Sequence, residues 1–242
     1  MINTCFKAPL RFLILLLSIG FAQSGLAQLL PDPQRFENTI LGFEQADRHN
    51  PPPEGAIVLT GSSSIARWND DAQAALAPLT IISRGFGGSI MNDLLHYLDR
   101  VALVYKPRAI LIYEGDNDSG RDFIPTPIVL QQLQQIIAKV HDELPATRIY
   151  LMGVKPSVSR WEYWSAAQEL STAYQDIAKA DPLIFYVDAA KPFLKVDGNV
   201  MNDLFIEDDL HFNDLGNLIW GSVIRAALMP MEARFESTLT TD

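Results

Sequence analysis

Cysteine is almost missing from this chain, with Cys5 the only one in 242 residues. An intrachain disulfide is therefore excluded, and an oxidising compartment poses no thiol problem beyond residue 5. Histidine is scarce as well, at positions 49, 96, 141 and 211 only, and no HExxH pair is present to carry a zinc site. Basic residues are outnumbered, 19 Lys and Arg against 29 Asp and Glu, for a formal charge of −10. A chain this acidic argues against nucleic acid or anionic lipid as the main partner. Long apolar runs are lacking too. The run from Phe12 to Ala22 covers 11 residues, short of the roughly 20 that span a bilayer. There is no internal repeat and no low-complexity tract.

The short apolar run has its own meaning. Lys7 and Arg11 precede it, and Gly25-Leu26-Ala27 follows as a small-x-small cleavage site before Gln28. Residues 1–27 thus read as an export signal, which predicts a periplasmic or secreted protein without stable membrane association once the signal is cut. Cleavage removes two cations and no acid, so the charge moves from −10 to −12. Residues 28–55 form a lead-in, 56–230 a single domain of ordinary size, and 231–242 a tail.

Within that domain, apolar runs recur at Ala56–Thr60, Thr80–Ser83, Ala109–Tyr113, Arg148–Val154 and Leu183–Asp188. Helical patterns lie between and after them, at about 65–76, 90–104, 126–142, 164–180 and 213–228; Leu170, Tyr174, Ile177 and Ala178 show the spacing in the fourth. Strands alternating with helices predict an α/β fold, a five-stranded parallel sheet covered on both faces. In such sheets the working residues gather just past the carboxyl ends of the strands. Those places hold Gly61-Ser62-Ser63-Ser64, Arg84-Gly85-Phe86-Gly87-Gly88-Ser89, Glu114-Gly115-Asp116-Asn117-Asp118 and, further on, Glu207-Asp208-Asp209-Leu210-His211.

Several rival motifs fail on spacing. A dinucleotide fingerprint from Gly85 needs glycine at position 90, which is Ile90. A calcium loop from Asp116 puts Arg121 where glycine is needed and Pro127 where the last ligand belongs. Asp208, Asp209 and His211 have no second histidine to complete a metal site. The G-x-S-x-G nucleophile elbow from Gly61 ends in Ile65. A hydrolase reading fares better. A serine hydroxyl needs a histidine to take its proton, and the histidine needs an acid to hold its tautomer. His211 lies in a loop before the final helix with Asp208 three residues earlier. The run of serines after the first strand is also a favoured helix start, with a serine as N-cap. Glycines after the second strand let a backbone N–H approach a substrate, and Asn117 adds an amide donor for a developing oxyanion.

These four segments, in this order, resemble the four blocks of the SGNH (GDSL-type) hydrolase superfamily over nearly the whole chain from Ile57. The family's Gly-Asp-Ser reads Gly61-Ser62-Ser63 here, Gly-x-Asn-Asp is matched by Gly115 to Asp118, and Asp-x-x-His by Asp208 and His211. The stretch KPSVSRWEYW, residues 155–164, resembles a bacterial subgroup of GDSL-like esterases that carry GSSS in place of GDS. The resemblance implies a flavodoxin-like three-layer α/β/α sandwich and a serine esterase needing no metal or other cofactor. Its catalytic residues would be Ser63, Asp208 and His211. Its oxyanion hole would be Ser63, Gly88 (with Gly87 as the second choice) and Asn117. In the connection after the fourth strand, Arg160, Trp161 and Trp164 read either as lining the substrate site or as an arginine paired with Glu162 or another acid beside tryptophans that cover the core; the substrate is expected to be a small or glycan-borne acyl ester. An O-acyltransferase, a lipid-directed lysophospholipase or thioesterase, and a non-catalytic binding domain are the alternatives.

Overall fold

Isoleucine, valine and leucine occupy successive positions in the strands because both faces of each strand are buried. A computed structural model describes residues 30–236 of the chain, so the expected export signal lies outside the described residues. The described residues from Pro33 onward belong to one compact unit. Its strands are β1 (Ile57–Gly61), β2 (Ile81–Gly85), β3 (Ala109–Tyr113), β4 (Arg148–Met152) and β5 (Ile184–Val187). They form one sheet in the order β2-β1-β3-β4-β5, every pairing parallel. The helices are α1 (Glu37–His49), α2 (Ser63–Ala66), α3 (Ala72–Ala75), α4 (Met91–Val101), α5 (Asp116–Gly120), α6 (Thr126–Glu143), α7 (Trp164–Ala180) and α8 (Asp214–Glu232). Among the described residues no helix is long and apolar enough to cross a membrane.

The layers follow from which strand residues point where. Ile57, Leu59, Leu111 and Tyr113 share one buried cluster with Trp220, Ile224 and Leu228 of α8. Trp220 is fully buried and meets the ring of Tyr113 edge to face, centroids 4.9 Å apart. A large side chain buried in this way contributes about 1.5–3 kcal/mol. On the other side α1 packs on α4, α4 on α6, and α6 on α7, which lies against β4 and β5. This is the expected three-layer α/β/α sandwich.

Three segments differ from their sequence patterns. The helix expected over 65–76 is two single turns, α2 and α3. Asn69 explains the break: its side-chain amide donates to the carbonyl of Gly85 at 2.9 Å and accepts from the Gly85 N–H at 3.0 Å and the Ser83 hydroxyl at 2.8 Å. The chain is thus stitched to β2 rather than continued as helix. In the lead-in, residues 37–49 are helical, held by Arg100 to Glu37 and Glu44 and by Arg84 to Asp47. The final helix runs on to Glu232, whose fully buried carboxylate takes hydrogen bonds from Arg148 (2.5 and 2.8 Å), Arg108 (3.2 Å) and the Tyr150 hydroxyl (2.8 Å).

What matters for function is the level at which the strands stop. Gly61 is in register with both Gly85 and Tyr113. The loops after β1, β2 and β3 therefore leave the sheet side by side.

Candidate active site

The first of these loops makes its turn at Gly61, which has φ +135°; a Cβ there would lie 2.1 Å from the carbonyl oxygen of Tyr113. Only glycine lets β1 run against the end of β3 and still turn. Ser62 follows, buried, its N–H bonded to that same carbonyl at 3.1 Å. The expectation that a serine side chain caps the helix is not met. Ser62 occupies the N-cap position without a side-chain cap bond, and its carbonyl accepts the N–H groups of Ile65 and Ala66, each at 3.0 Å. Ser63 opens α2 and projects its hydroxyl to His211, with Oγ 2.8 Å from Nε2.

His211 is held by a loop tied at several points. Asp209 has φ +56°, which turns the chain sharply between Asp208 and His211. Asp208 Oδ1 accepts the backbone N–H groups of Leu210 (3.0 Å) and His211 (2.8 Å), and its Oδ2 stands 2.6 Å from His211 Nδ1. Assigned from this network, Nδ1 carries the proton toward Asp208 and Nε2 accepts from Ser63. Burial pushes the Asp208 carboxyl upward, but the N–H groups of His211 and Leu210 and the imidazole outweigh it. The carboxyl is held well below its ordinary value. It is therefore ionised wherever the histidine works, which suits it to orient an imidazole and to stabilise its cation.

The second loop carries both glycines considered for the oxyanion hole. A Cβ placed on Gly87 would lie 3.7 Å from both Cα and Cβ of Ser63, whereas one on Gly88 would meet only Arg121 Nη1, at 3.4 Å. Gly87, the second choice on sequence, is the glycine that borders Ser63. The register gives the reason: residues 61 and 85 are level, so residues 63 and 87 stand equally far past the sheet. Gly88 has φ +90° and its carbonyl accepts from Arg121 Nη2 at 3.0 Å.

In the third loop Asn117 is buried, and its Nδ2 donates to the carbonyl of Ser89 at 2.8 Å, joining this loop to the second. Its Oδ1 accepts from Arg160 Nη2 at 2.8 Å. The amide is thereby fixed in one orientation, with one Nδ2 proton left over for an incoming oxygen. Arg160 also donates to Asp116 Oδ1 at 2.5 Å and is only 14% exposed. Its guanidinium thus pairs with an acid and an amide of the protein, by one N–H of Nη1 and one of Nη2. Trp161 and Trp164 are half-buried and stacked, centroids 5.9 Å apart.

Sequence reasoning missed two residues here. Lys155 and Asp116 are buried, 3.7 Å apart, in the same cluster as Arg160. A lysine just after a fully buried strand end, in Gly153-Val154-Lys155-Pro156, was the available signal. Among the described residues no group of three or more His, Cys, Asp or Glu side chains is placed to hold a metal ion.

A five-stranded parallel sandwich with a hydrogen-bonded serine, histidine and aspartate past its carboxyl edge is the architecture of the SGNH hydrolases. The family model for GDSL-like lipases and acylhydrolases matches residues 49–219, and the chain belongs to that family. Solved structures agree. A chain from Streptococcus pneumonia, provisionally assigned as a platelet activating factor, is 25% identical with a TM-score of 0.69, over 87% of this chain and 100% of its own. A GDSL-like lipase from Bacteroides thetaiotaomicron is 18% identical with a TM-score of 0.66, over 82% and 98%. A catalytic mutant of an acetylxylan esterase from Geobacillus stearothermophilus is 14% identical with a TM-score of 0.60, over 73% and 95%. No curated protein matches the sequence.

Proposed function

We propose that this chain is an exported serine esterase that hydrolyses short acyl esters, acetyl esters above all, including those carried on carbohydrate. The observation that carries the reading is the unbroken line from Ser63 Oγ through His211 to Asp208, with separations of 2.8 and 2.6 Å. Ser63 Oγ attacks the ester carbonyl carbon as His211 Nε2 takes its proton, and the carbonyl electron pair moves onto oxygen. The backbone N–H groups of Ser63 and Gly88, with Gly87 as the second choice, and the free proton of Asn117 Nδ2 receive that oxyanion. Collapse breaks the bond to the alcohol, which leaves with the proton from His211. Water then repeats the sequence and frees the acid, restoring the serine. No step calls for a metal or another cofactor.

Apart from the triad, which contributes nothing to its lining, a cleft of about 270 Å³ lined by Trp164, Tyr186, Gln168, Asp188 and Lys191 offers a seat for a carbohydrate that carries the ester. Trp164 also stacks on Trp161. Aromatic faces beside amides and charged groups suit a sugar ring, which is apolar on its faces and polar at its edge.

The test is a panel of p-nitrophenyl esters from acetate to decanoate run beside acetylated oligosaccharides, with free acid and acylated acceptor measured separately. The expected result is fastest release from acetyl esters, with free acetate the product. Preference for long chains would favour the lipid-directed lysophospholipase or thioesterase. Accumulation of acylated acceptor would make the chain an acyltransferase, and no turnover of any ester would favour a binding domain.

A further inference from the structure

The stretch KPSVSRWEYW marks a subgroup on sequence, yet the esterase mechanism uses none of its residues. Two of its members, Lys155 and Arg160, are cations turned inward on the same carboxylate. Arg160 Nη1 donates to Asp116 Oδ1 at 2.5 Å, and Lys155 Nζ lies 3.7 Å from Asp116 Oδ2. Beyond Asp116 each cation has a different second partner. Arg160 Nη2 donates to Asn117 Oδ1 at 2.8 Å. Lys155 Nζ donates to the carbonyl of Leu210 at 2.7 Å, one residue before His211. The lysine is fully buried and lies against the rings of Phe212 (5.1 Å) and Phe205 (5.6 Å). Ser159, between the two cations in sequence, donates its N–H to the carbonyl of Asp209 at 3.0 Å.

Burying three charges is costly, and an apolar cluster of similar volume would fill the same space with no such penalty. The cluster's geometry explains what the charges add. An asparagine amide has two orientations differing only by exchange of oxygen and nitrogen. With oxygen toward the substrate, Asn117 would repel an oxyanion instead of stabilising it. A guanidinium has five donors and no acceptor, so Arg160 can meet only the oxygen of that amide. From this we propose that Arg160 and Lys155, joined through Asp116, are positioning residues: Arg160 locks the Asn117 amide with nitrogen toward the oxyanion, and Lys155 anchors the loop that carries His211. The proposal rests on the esterase reading for its kinetic consequences but not for its geometry. Charge balance agrees with it: burial pushes the Lys155 ammonium down and Asp116 pulls it back, while Lys155 and Arg160 together overcome the effect of burial on Asp116 and hold its carboxyl below the ordinary value.

A double-mutant cycle separates positioning from general support, because residues acting through one group are not additive. With p-nitrophenyl acetate, Arg160→Ala should lower kcat by roughly 10- to 100-fold with KM changed by less than about threefold, the pattern of a contact realised in the transition state. In an Asn117→Ala background the same substitution should cost less than about threefold. Lys155→Met acts on the other loop, so its loss should remain when combined with Asn117→Ala. Added guanidinium should restore part of the Arg160→Ala rate and none of the Asn117→Ala rate. Should Arg160→Ala fail to fold, Arg160→Lys serves in its place, since an ammonium is a point charge that lacks the planar fork spanning both partners. Equal losses from Arg160→Ala with and without Asn117 would overturn the proposal.

If the wild-type protein hydrolyses no ester, the esterase reading fails and the positioning claim is decided by NMR. The side-chain amide protons of Asn117 should be resolved and slow to exchange in the wild type. They should shift and exchange faster in the Arg160 variant; an unchanged pair would overturn the proposal.

Discussion

Asp208 shows how much one side chain is asked to do. One carboxylate oxygen closes the turn by accepting the N–H groups of Leu210 and His211, and the other receives the imidazole. Asp208→Asn keeps an oxygen for the backbone, so the loop should hold its shape. The new NH₂ group then faces Nδ1 and forces the proton onto Nε2, where it can no longer accept from Ser63. The corresponding substitution in a serine protease lowers kcat by about 10⁴, and a loss on the order of 10³–10⁴ is expected here, with an unchanged circular dichroism spectrum. A variant keeping a tenth of the wild-type kcat would mean that His211 is oriented by something else. At this scale the sequence was informative where spacing is local: Asp208 and His211 are three residues apart. It left open whether Arg160 meets substrate or an acid, and it was silent on the partners, Asp116 and Asn117, which lie 44 and 43 residues away. An arginine beside Glu162 and two tryptophans has the same composition as a substrate contact, and only the fold shows it turned inward.

Elements were legible in proportion to their burial. The strand runs at Ala56–Thr60 and Ala109–Tyr113 stand out because helices cover both sides of the sheet, and α7 follows the pattern over 164–180 because one face of it is buried. Helix α1 was not legible, since it buries only Ile40 fully and is held largely by ion pairs that leave no periodicity. The reach of α8 was hidden for a related reason. Its last turn contains Pro230 and ends on an acid, both of which read as termination, yet Glu232 is the fully buried partner of Arg108 and Arg148. That clamp fastens α8 to the edge of the sheet opposite the active site. Removing one member of a buried ion pair costs about 3–5 kcal/mol, so Glu232→Ala should lose about that much stability in urea unfolding. A change below about 1 kcal/mol, the worth of an exposed pair, would show that the carboxylate contributes little.

The molecule as a whole carries an acidic core behind the loop that holds Asn117. Burial raises the Glu114 carboxyl well above its ordinary value, Asp118 to about 7 and Asp93 to about 6, the latter two against hydrogen bonds that favour the charge. In the unfolded chain these groups release their protons near pH 4. Between that value and about 7 the folded state therefore binds more protons, and stability must fall as pH rises. The protein should melt at a higher temperature at pH 5 than at pH 8, and Glu114→Gln, which cannot ionise, should reduce the difference. A melting temperature that rises from pH 5 to 8 would contradict this. The same loops place the Ser63 hydroxyl beside His211, and that placement is the centre of the account. Its most direct test is to treat the protein with a fluorophosphonate and locate the adduct by peptide mass spectrometry. A single adduct on Ser63, absent from Ser63→Ala together with all ester hydrolysis, is the predicted result. An adduct on Ser62 or Ser64, or hydrolysis that persists in Ser63→Ala, would contradict it.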